Sequence, residues 1–164
     1  MKILHLMRHG KSSWDQPGVN DIDRTLLPKG ILNNVIVAEK LLDKYGKPEK
    51  IICSPANRAL HTATIMAREF KVDPASISII QSIYESDTST VLDEIEKTPS
   101  HIDSLMVIGH NPTFTQIANL FLPEEIDNIP TSGITTLVFD IKDWRILDKS
   151  PVSCHLEFPK KDYF

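Results

Sequence analysis

The chain has 164 residues, 41% hydrophobic and 24% charged, a size and balance that predict one globular domain over residues 1–164 with a substantial core. A formal charge of -4 argues against a nucleic-acid partner, whose recognition needs a net basic face. Two cysteines, Cys53 and Cys154, are too few for a disulfide framework, and the apolar start at 3–7 is too short for a signal peptide or a membrane span, so a cytoplasmic protein with no membrane partner is expected.

In chain order, the short Ile- and Val-rich runs 3–7, 51–53, 77–80, 105–108 and 134–139 have the pattern of buried strands. Between the first two, Pro28–Tyr45 repeats apolar residues at three- and four-residue steps. Ile31, Val35, Ala38, Leu41, Leu42 and Tyr45 form the predicted inward stripe, and Gly46 and Pro48 end the helix. Ser54-Pro55 reads as an N-cap followed by proline at the first helical position, with Ala59, Leu60, Ala63 and Ala67 inward. Residues 88–97 predict a shorter helix capped by Asp87 or Thr88, burying Val91, Leu92 and Ile95. A fourth helix is predicted to open at Asn111-Pro112. Beyond Pro130, runs 134–139 and 144–147 flank Asp140-Ile141-Lys142-Asp143 like the arms of a hairpin. The sum is an α/β fold: a three-layer open sheet, mostly parallel with an antiparallel edge, and helices on both faces.

In such a sheet, residues that follow separate strands meet at the strands' carboxyl ends. Arg8-His9-Gly10 follows the first strand, Ser54 to Arg58 the second, and Gly109-His110-Asn111 the fourth. Their chemistry is that of phosphoryl transfer, where the protein must position and neutralise oxygens that share negative charge. Arg8 and Arg58 can each grip two oxygens with a planar guanidinium, and His110 can add a hydrogen bond. A neutral His9 can attack phosphorus and become a phosphohistidine. A departing alkoxide needs a proton, for which Glu85, after the third strand, is the preferred donor over Asp15, Asp21, Asp23 and Asp87. Burial would have to hold it protonated.

Taken together, Arg8-His9-Gly10, Ser54-Pro55 with Arg58 and Thr62-Ala63, and Gly109-His110-Asn111-Pro112 resemble the histidine phosphatase superfamily, also called phosphoglycerate mutase-like. Within it the chain is most similar to the small SixA-type branch. Asp23-Arg24-Thr25-Leu26 resembles that branch's segment before the first helix, with Thr25 where proline is commoner. The resemblance implies a phosphohistidine on His9, a phosphate pocket of Arg8, Arg58 and His110, no cofactor, and variation at the acid.

The expected activity is therefore a metal-independent phosphatase acting on a phosphorylated small molecule or on a phosphoprotein, including protein phosphohistidine. A catalytically silent phosphate-binding module and, less favoured for so short a chain, a mutase-type phosphotransferase are the alternatives. A cysteine-dependent phosphatase is disfavoured because only four residues separate Cys53 from Arg58, and Cys53 ends an apolar run where a buried, inert thiol is expected. Two pocket arginines would repel a metal ion. His5, His61, His101 and His155 lack partner spacing and read as core-edge or surface residues, and Lys11 and Ser12 read equally as phosphate contacts or as an exposed loop.

Overall fold

The structure, a computed structural model, describes residues 1–146 and 148–159. Six strands form one mixed sheet in the order β3-β2-β4-β1-β5-β6. They are β1 (Lys2–Arg8), β2 (Lys50–Cys53), β3 (Ile77–Ile79), β4 (Ser104–Gly109), β5 (Ile134–Phe139) and β6 (Ser153–Glu157). The first four run parallel, while β5 pairs antiparallel with both β1 and β6. Four helices cover the faces: α1 (Pro28–Tyr45), α2 (Asn57–Phe70), α3 (Thr88–Glu96) and α4 (Thr113–Phe121).

The period-two alternation of a strand sorts side chains between the two cores. On β4, Leu105 and Val107 join Val91, Leu92, Ile95, Phe114 and Ile117 of α3 and α4. Met106 and Ile108 face the other way, toward Val37, Leu41, Ala59, Ala63 and Met66 of α1 and α2. Both faces of the central strands are therefore dry, which is why they read as continuous apolar runs.

Four local expectations are corrected. The partner of β5 is β6 rather than the 144–147 run, whose last residue lies outside the described residues. Trp144 is 1% exposed and donates Nε1–H to the Ile102 carbonyl at 2.9 Å, so it plugs the core and cannot extend a ladder. Helix α2 opens at Asn57 with Ala56 at its N-cap, because Ser54 Oγ accepts from Ala56 N at 3.2 Å and holds a turn before the helix. Helix α4 opens at Thr113, and Asn111 acts from within the preceding turn, its Oδ1 accepting from Thr115 N. On α1 the buried stripe is Gly30, Asn33, Asn34, Val37, Ala38 and Leu41, while Leu42 is exposed. Helix α3 keeps its expected inward residues and is capped by Asp87, whose Oδ1 accepts from Thr90 N at 2.9 Å.

Sheet register sets the position of the site. Arg8 lies beside Gly109 and Cys53 beside Ile108, so β1, β2 and β4 end level with one another. Three loops consequently leave the sheet at one edge, which is where ligands sit in open parallel sheets. Among the described residues no helix is long and apolar enough to cross a membrane.

Candidate active site

A cleft of ≈ 280 Å³ opens at this edge, lined by Arg8, His9, Arg58 and His110 together with Lys11, Ser12, Trp14, Asp21, Arg24, Asn111 and Thr131. Four of the five sequence-predicted residues meet in it. Glu85 does not: it is exposed and borders a neighbouring hollow that also touches His110. Its backbone is left-handed, with φ of 52°, because the chain turns sharply there between Tyr84 and the Asp87 cap.

His9 is 7% exposed and its ring is oriented at both nitrogens. Nδ1 lies 2.8 Å from the Gly10 carbonyl oxygen. A carbonyl only accepts, so Nδ1 carries the proton and Nε2 keeps its lone pair. Arg58 Nε–H donates to that Nε2 at 3.3 Å. Burial first, offset in part by the Gly10 bond, and then the charges of His110, Arg58 and Arg8 pull the His9 pKa down to about 3, so the ring is neutral at physiological pH.

The loop that carries His9 is clamped from below. Gly10 N donates to Thr62 Oγ1 at 3.0 Å, Asn34 Nδ2 donates to the same oxygen at 3.2 Å, and Ser132 Oγ donates to Asn34 Oδ1 at 2.7 Å. Ser132, at a φ of 62°, also turns its backbone N–H toward the Arg8 and His9 carbonyls. Asn34 is fully buried, so this amide of the α1 stripe braces the His9 loop as well as packing.

Arg8 donates from Nη1 to the Ile129 carbonyl at 2.9 Å and, more weakly, to Asn128 Oδ1 at 3.4 Å. Its buried Nε has no partner among the described residues. Burial lowers its pKa, as expected where a cation is held away from water. Arg58 is 5% exposed and donates Nη1–H to the Asp21 carbonyl at 2.6 Å and Nη2–H to Asp21 Oδ2 at 3.0 Å. His110 Nε2 pairs with Ser54 Oγ at 2.7 Å, its Nδ1 has no partner among the described residues, and its ring centroid lies 5.1 Å from that of His9. Burial, then Arg58, lower its pKa to about 4, so it too is neutral.

Residue types and strand ends alone did not single out the segment between β1 and α1. Arg24 is 7% exposed and donates to Asp21 Oδ1 and to Ser12 Oγ, each at 3.0 Å. Asp21 thus links Arg24 and Arg58 and also accepts from Tyr84 Oη at 2.6 Å. Burial raises the Asp21 pKa, but the bonds from Tyr84 and Arg58 and the charges of Arg58 and Arg24 outweigh it and hold the carboxyl at about 2. The signal in the sequence was the Arg24 motif itself, whose charge follows β1 in the loop above the strand ends.

Cys53 is buried within the α1/α2 core, and burial pushes its thiol up to about 12. His5, expected at the core edge, is fully buried in β1, with Nδ1 2.8 Å from Thr136 Oγ1. Among the described residues, no three His, Cys, Asp or Glu side chains are grouped to hold a metal ion.

The sequence model of the histidine phosphatase superfamily (branch 1) matches residues 4–87. The uncharacterized protein Rv1276c of Mycobacterium tuberculosis (strain ATCC 25618 / H37Rv) is 30% identical over 141 residues, covering 80% of this chain and 85% of that protein. Among solved structures, SixA from Agrobacterium tumefaciens, provisionally named a phosphohistidine phosphatase, is 30% identical with a TM-score of 0.75 over 83% of this chain and 90% of its own. The protein histidine phosphatase SixA complexed with tungstate shares the fold, with a TM-score of 0.80 at 22% identity over 96% of this chain and 97% of its own.

Proposed function

We propose, for a chain that belongs to branch 1 of the histidine phosphatase superfamily and is a phosphatase, that hydrolysis runs through a covalent phosphohistidine on His9. The observation that carries this reading is the fixed tautomer of His9: a neutral ring, its proton engaged by the Gly10 carbonyl, its Nε2 lone pair turned to the Arg58 guanidinium. A ring merely binding phosphate would serve better as a charged donor; a nucleophile needs the lone pair.

In the first step Nε2 bonds to phosphorus while the bond from phosphorus to the leaving atom breaks, and that atom takes the electron pair. Water then attacks phosphorus, the P–N pair returns to Nε2, and inorganic phosphate leaves as the water's proton passes to solvent. Arg58 and Arg8 neutralise the oxygens in flight, and His110, held by Ser54, supplies a further hydrogen bond. No step calls for a metal.

The leaving group decides how much acid help is needed. Asp21 is ionised and tied to two arginines, and Glu85 stands outside the cleft. Both observations favour a leaving group that departs easily, and protein phosphohistidine fits: its imidazole, protonated at the distal nitrogen by solvent, leaves as a neutral ring. A phosphomonoester remains within reach if Glu85 donates, so Glu85→Gln should slow an alkyl phosphate more than phosphohistidine. The test of the function itself is turnover of an aryl phosphate and of a histidine-phosphorylated peptide in EDTA. Activity that survives chelation in the wild type and is lost in a folded His9→Ala variant supports the reading, and turnover retained by His9→Ala refutes it.

A further inference from the structure

We infer that Trp14 is the leaving-group wall of this site and selects substrates whose phosphoryl group is carried on a planar ring. The inference rests on the phosphatase reading above and adds to it a residue and a chemical class of substrate.

The two tryptophans of the chain are opposites: Trp144 is 1% exposed in the core and Trp14 is 73% exposed. A single exposed indole needs no explanation on its own. Trp14 differs in being pinned. The Arg24 guanidinium carbon lies 3.5 Å from the centre of its ring, a stacked arrangement that covers one indole face. Arg24 is itself immobilised by Asp21 and Ser12, so the ring is backed by a fixed cation and presents its other face to solvent.

That ring also stands at a boundary. Trp14, Asp21 and Arg24 line both the phosphate cleft and an adjoining hollow of ≈ 150 Å³, whose remaining wall is Ser13, Gln16 and Val19. A phosphoryl group seated among Arg8, His9 and Arg58 therefore has the indole within the same cleft and a small, mixed polar and apolar space beyond it. A planar ring can stack offset on the free indole face, a geometry that a flexible alkyl chain does not match. Imidazole and phenyl leaving groups share this chemistry.

Binding of phosphonates tests this without turnover. Phenylphosphonate and ethylphosphonate are titrated into the wild type, Trp14→Phe and Trp14→Ala, and the ratio of their Kd values is taken within each protein. The wild type should prefer the phenyl ligand by roughly tenfold, the scale of one stacking contact, with most of the preference kept by Phe and erased by Ala. Equal affinities in the wild type, or a preference that survives in Trp14→Ala, overturns the inference. To separate the sources of the ring, kcat/KM is compared for phenyl phosphate and phosphoimidazole. A fall on both in Trp14→Ala marks the ring as the shared determinant, and a fall on one alone overturns that. Loss of the His9 mechanism would leave the phosphonate ratios intact, so the two readings fail separately.

Discussion

Arg58 donates its Nε–H to the lone pair of His9 Nε2 at 3.3 Å, so the cation and the nucleophile share one hydrogen bond across the cleft. The same guanidinium holds the Asp21 carbonyl and carboxylate with its other two nitrogens. A lysine offers a point charge and cannot serve these three directions at once. Arg58→Lys should therefore keep the charge and lose the alignment, lowering kcat on an aryl phosphate by on the order of 10²-fold, the cost of removing one oriented donor. Steady-state kinetics decide it, and a kcat equal to the wild type would remove Arg58 from the mechanism.

Asp21 is the one carboxylate lining the cleft among the described residues, and it joins Arg24, Arg58 and Tyr84. Asp21→Asn takes a negative charge from the pocket and loosens two arginines together. The more positive cleft should draw phosphate more tightly while its donors aim less well. KM is expected to fall along with kcat, a signature distinct from simple loss of binding. A KM that rises would contradict this.

Gly30, in the first turn of α1, presses on the backbone beyond the nucleophile: a Cβ there would lie 2.4 Å from Lys11 O and 2.7 Å from Lys11 N. Those are main-chain atoms, so the loop after His9 must move. Gly30→Ala should cost about 1–3 kcal/mol by overpacking and lower kcat as well, read by denaturant titration and kinetics on the same sample.

Two buried histidines, His5 and His9, and the partly buried His110 make stability depend on acid. Burial lowers His5 and His9 to about 3 and His110 to about 4, against 6.5 for the unconstrained ring. The unfolded chain therefore binds more protons than the folded chain as pH falls below 6.5. Stability is fully present above that value and is lost progressively toward pH 3. Each such ring contributes a slope of up to about 1.4 kcal/mol per pH unit. His5→Gln should flatten the urea-measured slope between these limits by one histidine's share, since His5 lies outside the cleft and can be changed without touching it. An unchanged slope would mean that His5 does not remain neutral.

Much of this site is legible in the sequence. Arg8, His9, Arg58 and His110 follow three apolar runs, and the level ends of β1, β2 and β4 turn that sequence rule into proximity. The surroundings of Glu85 were not legible, because its left-handed backbone and exposure depend on the turn into α3. Asn34 was invisible for another reason: an amide at a buried helical position looks like a surface residue until Thr62 and Ser132 are seen to meet it. Trp14 and Arg24 sit in a loop without periodicity, so no pattern could bring them together. The 144–147 run imitates a strand in composition, and Trp144 is apolar because it fills the core.

The central claim is the covalent step, and the most direct measurement is to quench the enzyme in denaturant during turnover and analyse the phosphoprotein by mass spectrometry and by acid and alkali lability. A phosphoryl group on His9, labile in acid and stable in alkali, and missing from His9→Ala, is the predicted result. Turnover with no phosphoprotein, or with phosphate on another residue of the wild type, would contradict it.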